Sequence, residues 1–171
     1  MDDTIIKTHR LVLRYQRKSD IKFLVDFWMD EEHTKFIGGP RDKQFLIDEF
    51  RKVAEDPKRH EYDLWPLELK NTHELVGHAG FIPKTIKDKD YVELNYYIDK
   101  SKWGKGYAKE IAKALIEYGF KVKKLEKIIA IIDPENEASK AVAKASGMKY
   151  WVNEMRSGKI KSVYSIKNEL K

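Results

Sequence analysis

A glycine-containing loop between a strand and a helix constrains the fold of this chain more than any other segment. Alternating apolar residues predict a strand from Tyr91 to Ile98, and a helix without internal proline runs to about Lys121. The loop between them contains Gly104 and Gly106. Glycines let the backbone approach a ligand closely, and the free N–H groups at a helix start attract anions. This order of elements predicts either a phosphate-binding loop or a plain structural turn.

The spacing of the two glycines matches neither of two common nucleotide-binding patterns. It lacks the Gly-x-x-x-x-Gly-Lys-Ser/Thr pattern and the Gly-x-Gly-x-x-Gly pattern. Lys102 and Lys105 lie beside the glycines and would add positive charge, although solvated lysines at a turn explain them equally well. The glycine pair alone therefore leaves both interpretations open.

The rest of the chain predicts a single α/β (α+β) domain over residues 1–171. In chain order the predicted elements are β-α-α-β-β-β-α-β-α-β-β. The first strand is Leu11–Tyr15, and the two early helices are separated by Gly38-Gly39-Pro40. Because the strands and helices do not alternate regularly, we expect a mixed, mostly antiparallel twisted sheet flanked by helices.

Three local features refine this expectation. Pro66 interrupts the second strand, which predicts an edge strand or a bulge there. The polar, lysine-rich segment from Lys84 to Asp90 is predicted to be a loop. Lys127 to Ile132 is a short, continuously apolar run, which is typical of a strand buried on both faces.

Composition excludes several classes of site. The net charge of +6 suits a polyanion such as a phosphate-rich cofactor, although a lysine-rich solubilising surface explains it equally well. The chain has no cysteine, which excludes disulfides, thiolate metal sites and an acyl-cysteine intermediate. Its five histidines show no metal-ligand spacing, so we expect no metal.

The N-terminus and the hydropathy pattern predict a cytoplasmic protein. The first residues are acidic and polar, without a signal-peptide core. No apolar run approaches the roughly 18–20 residues that a membrane-spanning helix needs. We therefore expect no membrane partner, and we do not expect nucleic acid as a partner.

The residues around the glycine loop identify a family resemblance. Trp103-Gly104-Lys105-Gly106-Tyr107-Ala108 resembles the cofactor-binding motif of the GNAT superfamily of N-acetyltransferases, more narrowly its RimJ/RimL-like branch of ribosomal-protein N-terminal acetyltransferases. A second block, Asp133-Pro134-Glu135-Asn136 to Ser139 with Gly147 after it, resembles the last helix of that branch. The opening segment Thr8–Arg14 is also similar, so the resemblance extends from about residue 5 to residue 167. It implies a GNAT-like fold.

The resemblance implies acetyl-CoA as cosubstrate. The pyrophosphate would bond to backbone N–H groups of the loop, which are those of Trp103, Gly104, Lys105, Gly106, Tyr107 and Ala108. The pantetheine arm would pair with the preceding strand from Asn95 to Ile98 like an added strand. Tyr97 or Ile98 would supply the backbone N–H that stabilises the oxyanion.

The resemblance also implies a base for the amine proton. Many members of the superfamily place a carboxylate near the start of this strand, which here is Glu93. Strand alternation predicts that Glu93, Asn95 and Tyr97 share one face. The opposite face would carry Leu94, Tyr96 and Ile98. A surface or cross-strand ion pair explains Glu93 equally well.

Ser139 matches the serine that this branch uses to protonate the departing thiolate, and Tyr97 and Tyr107 are alternatives for the same task. Ser139 also fits a first-turn hydroxyl with a local backbone bond. Asn136 has two compatible roles, as a helix cap and as a ligand of the pantetheine or substrate amide.

We therefore expect an acetyl-CoA-dependent N-acetyltransferase that acts directly on a primary amine. The acceptor remains open between a protein N-terminus, a polyamine and another small amine. The rival interpretation is a catalytically silent acyl-CoA-binding or basic docking protein of the same fold. A monomer and a homodimer also remain open. Four carboxylates in the early helices have the potential to gather around an acceptor, namely Asp30, Glu31, Glu32 and Asp42.

Overall fold

The computed structural model of the chain describes residues 3–169. Its strands are β1 (Thr4–Lys7), β2 (Leu11–Arg14), β3 (Leu64–Leu69), β4 (Leu75–Ile86), β5 (Lys89–Ile98), β6 (Lys127–Ile132), β7 (Lys149–Arg156) and β8 (Lys159–Lys167). Its helices are α1 (Ile21–Met29), α2 (Glu31–Thr34), α3 (Lys43–Glu55), α4 (Tyr107–Lys121) and α5 (Glu137–Ala145). None of these helices is long and apolar enough to cross a membrane.

The eight strands form one sheet in the order β1-β2-β3-β4-β5-β6-β8-β7. Every neighbouring pair is antiparallel except β5 and β6, which run parallel. The connection between these two strands contains α4, as a parallel crossover requires. The predicted fold class, a mixed and mostly antiparallel sheet flanked by helices, is confirmed.

The helices cover both faces of the sheet. On one face, which we call the α4 face, α4 and α5 bury the largest apolar cluster, which includes Leu94, Ile111 and Ile128. The other face, which we call the α1 face, carries a cluster from α1 and α3 around Trp28 and a separate cluster around Ile129 under the β7–β8 hairpin. The sequence of β6 is apolar throughout because its residues alternate between clusters on the two faces, as predicted.

The structure adds two short elements to the predicted order. β1 has four residues and pairs with β2, and its short apolar stretch does not by itself indicate a strand. α2 also has four residues, and the Asp30 side chain caps it by accepting hydrogen bonds from the N–H groups of Glu32 and His33. Neither element is long enough to establish a period of two or of 3.6 residues.

The segment from Lys84 to Asp90 is not a loop, and this part of the prediction is wrong. β4 continues to Ile86 and β5 starts at Lys89, so the turn consists of Lys87 and Asp88 alone. These two residues have φ angles of 48° and 61°. Two-residue hairpin turns with this left-handed conformation usually consist of Asn-Gly, Asp-Gly or Gly-Gly. Without that signal the lysine-rich sequence resembles a loop.

Pro66 lies where the prediction placed an irregularity. The pairing of β2 with β3 ends at Leu13 and Leu67. Pro66 therefore lies beyond this pairing, where β2 does not require the N–H that proline lacks. The register of β3 with β4 shifts between Leu67 and Glu68. β3 is thus an interior strand with a locally free edge, and the extra residue at the register shift is Val76 on β4.

Candidate active site

β5 and β6 separate near the middle of the sheet. Their parallel pairing aligns Val92 with Ile128 and Glu93 with Ile129, and no further aligned pair follows within residues 3–169. The strands diverge beyond this point, which leaves their facing backbone groups without each other as partners. Two cavities adjoin in the resulting gap, and we call them the large and the small cavity.

The large cavity has a volume of about 500 Å³ and lies between the end of β5, the glycine loop and α5. Nine predicted cofactor-binding residues line it, namely Tyr97, Ile98, Trp103, Gly104, Gly106, Tyr107, Ala108, Asn136 and Ser139. Lys105 is the predicted residue that does not, and its carbonyl instead accepts a hydrogen bond of 2.9 Å from Arg10 Nη1. Residues distant in sequence therefore converge on one space.

The glycine loop leaves the start of α4 open to a ligand. Gly104 and Gly106 have φ angles of 74° and 80°, a left-handed conformation that other residues adopt at a cost. Asp30, Asp42 and Asn136 cap three other helices with their side chains, but Gly106 leaves α4 without a side-chain cap. The backbone N–H groups of residues 104–109 donate no hydrogen bond to any acceptor within residues 3–169. Such a row of free N–H groups at a helix start is a binding site for an anion.

Arg10 holds this loop against α4. Its Nε donates a hydrogen bond of 2.7 Å to Glu110 Oε2, and its guanidinium lies 4.6 Å from the centre of the Tyr107 ring. Thr8 Oγ1 donates to the other oxygen of Glu110 at 2.6 Å. The opening segment of the chain therefore contacts and stabilises a loop that lies about a hundred residues later in the sequence.

The small cavity, with a volume of about 90 Å³, occupies the gap itself. Phe36 and Ile37 form one wall, Asn95 forms another, and Ile131 and Asp133 at the end of β6 form a third. Six residues line both cavities, namely His33, Phe36, Tyr96, Tyr97, Asn136 and Ser139. A group bound in one cavity thus meets a group bound in the other at these residues.

Ser139 and Tyr96 form a hydroxyl pair at this junction. Asn136 Oδ1 accepts a hydrogen bond of 3.0 Å from the N–H of Ser139, which confirms the predicted cap. Tyr96 Oη donates to the carbonyl of Ser139 at 3.0 Å and lies 3.5 Å from Ser139 Oγ. Burial raises the pKa of Tyr96 to about 12, so the phenol keeps its proton at neutral pH. The motifs did not identify Tyr96, although strand alternation had placed it on the face opposite Glu93.

Glu93 is buried at the last aligned pair before the gap. Burial raises the pKa of its carboxyl, against the opposing influence of Lys84, whose Nζ lies 4.0 Å from Glu93 Oε2. The side chain of Asn95 and the N–H of Ile131 also favour the charged form, and Asn95 Nδ2 donates to the backbone carbonyl of Glu93 at 3.2 Å. A carboxylate of raised pKa beside a cavity is suited to accept a proton. The ion-pair interpretation also has a partner here, although 4.0 Å is too long for a hydrogen bond.

Tyr97 directs its side chain away from Ser139. Its hydroxyl donates a hydrogen bond of 2.6 Å to Asn95 Oδ1, and its ring packs at 5.1 Å against Trp28 on the α1 face. Burial raises the pKa of the Tyr97 phenol well above its ordinary value. Of the tyrosines at the junction, Tyr96 is the one whose hydroxyl lies beside Ser139.

Strand geometry distinguishes the two predicted oxyanion donors. The N–H of Asp99 bonds to the carbonyl of Val76 on β4, and the β4–β5 register has no shift. Because N–H groups alternate sides along a strand, that of Tyr97 also faces β4 and that of Ile98 faces the gap. The carbonyl of Ile98 accepts a hydrogen bond of 2.7 Å from Trp103 Nε1, which agrees with this direction.

A buried histidine supports the α1 face of the site. His78 Nδ1 accepts a hydrogen bond of 3.2 Å from Trp28 Nε1, and His78 Nε2 lies 3.0 Å from the carbonyl of Leu64. These partners place the proton on Nε2. Burial lowers the pKa of His78 to about 4, so the ring is neutral at physiological pH. Trp28 in turn packs against Tyr97.

The early carboxylates gather only in part. Asp30 and Glu32 both contact Lys100 Nζ, at 2.9 and 3.2 Å, and Lys100 holds the pKa of Asp30 down at about 2. Asp42 instead caps α3 at Phe45. Within residues 3–169, no three His, Cys, Asp or Glu side chains come together as a metal site.

Comparison with known proteins identifies one family and a relative that is similar over nearly the whole chain. Residues 10–149 match the family described as an acetyltransferase (GNAT) domain. The Bacillus subtilis (strain 168) protein YkkB is 31% identical over 166 residues, which are 96% of each chain.

Two solved structures are similar over nearly the whole chain. A GNAT-family acetyltransferase from Bacillus anthracis superposes with a TM-score of 0.80 at 27% identity, over 95% of this chain and 97% of that one. RimJ of Mycobacterium smegmatis, solved with CoA-disulfide, has a TM-score of 0.75 at 18% identity, over 93% of this chain and 82% of that one. At that identity the second likeness shows the fold alone.

Proposed function

The chain belongs to the GNAT acetyltransferase family, and on that premise we propose that it transfers an acetyl group from acetyl-CoA directly to a primary amine. In this reaction the amine nitrogen forms a bond to the acetyl carbon, and the thioester carbon–sulfur bond breaks. The amine loses a proton and the departing sulfur gains one, so the products are an amide and CoA. A protein N-terminus, a polyamine and another small amine all satisfy this chemistry.

The observation that carries the proposal is the meeting of the two cavities in the gap beyond Glu93. The large cavity ends at the free N–H groups of α4, which suit the pyrophosphate of acetyl-CoA. The small cavity is lined by Leu94 and Asn95, which directly follow Glu93, a buried carboxylate of raised pKa. An acyl donor and an amine entering from opposite sides would therefore meet at the residues that both cavities share.

The exposed edge of β5 supports binding of the pantetheine arm and of the developing oxyanion. Beyond Glu93 this edge has no partner strand within residues 3–169, so the amide groups of an extended ligand can pair with it. Ile98 directs its N–H toward the gap and is our choice of oxyanion donor. A donor of this kind typically contributes about 10²–10³ in rate.

Two groups on opposite faces of β5 divide the proton transfers. We assign Glu93, on the α1 face, as the base that accepts the amine proton, directly or through water. Tyr96 and Ser139, on the α4 face, are the candidates that donate a proton to the departing thiolate. Their hydroxyls lie 3.5 Å apart, and the high pKa of Tyr96 keeps that proton available.

The test is the release of CoA from acetyl-CoA by the purified protein in the presence of primary amines. We expect release above the amine-free rate with at least one of a peptide, a polyamine and an aminoglycoside, together with an acetylated product by mass spectrometry. If calorimetry shows acetyl-CoA binding but no amine accelerates release, the protein is a catalytically silent CoA-binding protein. If acetyl-CoA does not bind, the assignment of the large cavity is wrong.

A further inference from the structure

The small cavity reaches the α1 face, where β5 presents a polar strip between two apolar clusters. One cluster contains Trp28, and the other contains Trp151 of the β7–β8 hairpin, whose ring packs at 5.4 Å against Tyr91. Glu93 and Asn95 form the strip between them. An amine that reaches Glu93 from this face therefore meets the charges around this strip.

Glu93 in the strip and Asp133 beside the small cavity each already have a cation nearby. Lys161 Nζ lies 2.5 Å from Asp133 Oδ2, and Lys161 also donates to the carbonyl of Phe36 at 3.3 Å. Lys84 Nζ lies 4.0 Å from Glu93 Oε2, and the charge of Arg156 also acts on Glu93. The negative charge here is therefore balanced before any acceptor arrives, which removes the attraction that a polycationic acceptor would need.

Two of these cations keep unused hydrogen-bonding capacity. Arg156 reaches from the end of β7 to β4, where its Nη2 donates to the carbonyl of Thr85 at 2.5 Å. Its Nε is buried and has no hydrogen-bond partner within residues 3–169. Lys84 is about a third exposed and is too far from Glu93 for a hydrogen bond. The partly exposed ammonium of Lys84 and the partly buried guanidinium of Arg156, with one nitrogen unpaired, are the donor types that bind a carboxylate.

The same cations favour the reactive form of an acceptor amine. A positive charge near an ammonium group lowers its pKa, so more of the amine is neutral and nucleophilic. A polyamine or an aminoglycoside gains the same effect but brings further positive charges toward Lys84, Arg156 and Lys161. An acceptor with an anionic group beside its amine instead pairs with the free donors.

We propose that the acceptor is a primary amine with a carboxylate close to it, such as an acidic amino acid or an acidic peptide N-terminus, and that Lys84 and Arg156 bind this carboxylate. This inference rests on the proposed acetyl transfer to an amine, at the same site. Among the possible acceptor amines, it selects those that carry an anionic group.

The experiment compares amide-capped peptides Ala-Glu-Glu, Ala-Gln-Gln and Ala-Lys-Lys with free glutamate and spermidine as acceptors. We expect kcat/KM for the acidic peptide to exceed that for the basic peptide by about 10-fold or more, the scale of one charge-assisted hydrogen bond. The preference should shrink as salt is raised, because exposed charges are screened. Free glutamate as the better substrate would identify an amino acid, and the acidic peptide would identify a protein N-terminus.

Variants locate the preference. Arg156→Gln and Lys84→Gln should each lower kcat/KM for the acidic peptide more than for the basic one, and Arg156→Glu should reverse the order. Lys149→Gln is the matched control, since it removes the same charge from the exposed opposite end of β7. It should leave the ratio unchanged.

Binding of the same peptides to the CoA-saturated protein, measured by calorimetry, separates this inference from the proposed reaction. Tighter binding of the acidic peptide that depends on Arg156 supports the carboxylate site even if no amine is acetylated. Equal binding and equal turnover of acidic and basic peptides would overturn it, whether or not CoA is released. So would an acidic preference that persists in both Gln variants.

Discussion

Glu93 occupies a position where a charged carboxylate is costly. It is buried, its nearest cation is 4.0 Å away, and burial raises its pKa although neighbouring donors favour the charged form. A carboxylate with a raised folded-state pKa stabilises the fold below its unfolded pKa, and this stabilisation is lost as pH rises through the folded pKa. At neutral pH the protein therefore carries a stability cost at the residue that we assign as base.

Glu93→Gln should lower activity and leave stability the same or higher. We expect kcat/KM to fall about 10²-fold or more, because the general base is gone. Unfolding in urea at pH 7–8 should show the variant at least as stable as the parent, with the difference shrinking as pH falls toward about 4.5, the ordinary value of a Glu carboxyl. The acidic limb of the parent's pH–rate profile should disappear in the variant. Undiminished turnover would remove Glu93 from the mechanism.

His78 makes the opposite contribution to pH dependence. Its folded pKa is lowered from 6.5 to about 4. Between these two pH values the unfolded chain binds a proton at His78 and the folded chain does not. Stability is therefore complete above about pH 6.5 and falls as pH drops toward 4, by up to roughly 3 kcal/mol.

His78→Leu should remove that acid sensitivity. The variant orphans Trp28 Nε1 and the carbonyl of Leu64, so we expect a loss of about 1–3 kcal/mol at pH 7. The gap between parent and variant should then narrow as pH falls from 6.5 to 4, as measured by denaturant titrations at each pH. A constant gap would mean that His78 is not held neutral by burial.

The hydroxyl pair allows a comparison of two single changes. Tyr96→Phe and Ser139→Ala each delete one hydroxyl at the cavity junction. If Tyr96 donates the proton, Tyr96→Phe should lower kcat about 10²-fold while Ser139→Ala lowers it less, since Tyr96 keeps its bond to the carbonyl of residue 139. The reverse order of effects in steady-state kinetics would assign the proton to Ser139.

Sequence motifs specify some of these residues better than others. Asn136 was predicted as a cap because the residue type and its place before a helix suffice. Tyr96 was missed because alternation tells which residues share a face but not which helix covers that face. His33, which lines both cavities, has no local signal at all, since α2 is too short to show a period.

At the scale of elements, the uncapped start of α4 is the feature most directly tied to cofactor binding. Three other helices begin with a side chain that satisfies a first-turn N–H. α4 begins with Gly106 instead, at a φ angle of 80°. A side-chain cap there would occupy the N–H groups that a pyrophosphate needs.

Gly106→Ala tests this element against a matched change at Gly158. Both glycines have similar positive φ angles, 80° and 75°, and a methyl group meets no backbone atom within 3.4 Å at either position. Both variants should therefore lose about 1 kcal/mol of stability. Only Gly106→Ala should weaken acetyl-CoA binding, by about 10-fold or more, because its methyl group stands beside the free N–H groups. Equal calorimetric affinities for the two variants would contradict the pyrophosphate assignment.

The elements that sequence predicted well are those with a strong period or a punctuating residue. β6 was predicted from its continuous apolar run, and an irregularity in the pairing near Pro66 from that proline. The turn at Lys87 and Asp88 was missed because this pair lacks the glycine that marks a two-residue hairpin turn, and the strands on either side are held by their pairing with each other. Tertiary pairing there overrides local preference.

At the scale of the whole molecule, the fold class follows from the order of elements, whereas the acceptor does not. A sheet with one parallel crossover and otherwise antiparallel neighbours fits the predicted order. The charges at the acceptor end come from β4, β5, β6, β7 and β8 together, so they become visible only in three dimensions.

Binding of acetyl-CoA should stabilise the whole domain. A ligand present at 100 times its Kd adds about 2.7 kcal/mol, which is a rise in melting temperature of roughly 5–10 °C for a domain of this size. Because the chain carries a net charge of +6 and the ligand is a polyanion, the rise should decrease with added salt at fixed ligand. S-acetylpantetheine, which lacks the phosphates, should give a smaller rise in thermal melts. An equal rise would contradict recognition through the glycine loop.

The strand order also has a consequence for synthesis of the protein. β1 to β5 are neighbours in sequence order, so each can pair as soon as the next emerges from the ribosome. β6 can pair with β5 on one side, but its other neighbour in the sheet is β8, which follows β7 in the sequence. Until Lys159–Lys167 has been translated, β6 keeps an unpaired edge on a strongly apolar strand. The nascent chain is therefore most exposed to aggregation, and most dependent on chaperones, during the interval between β6 and β8.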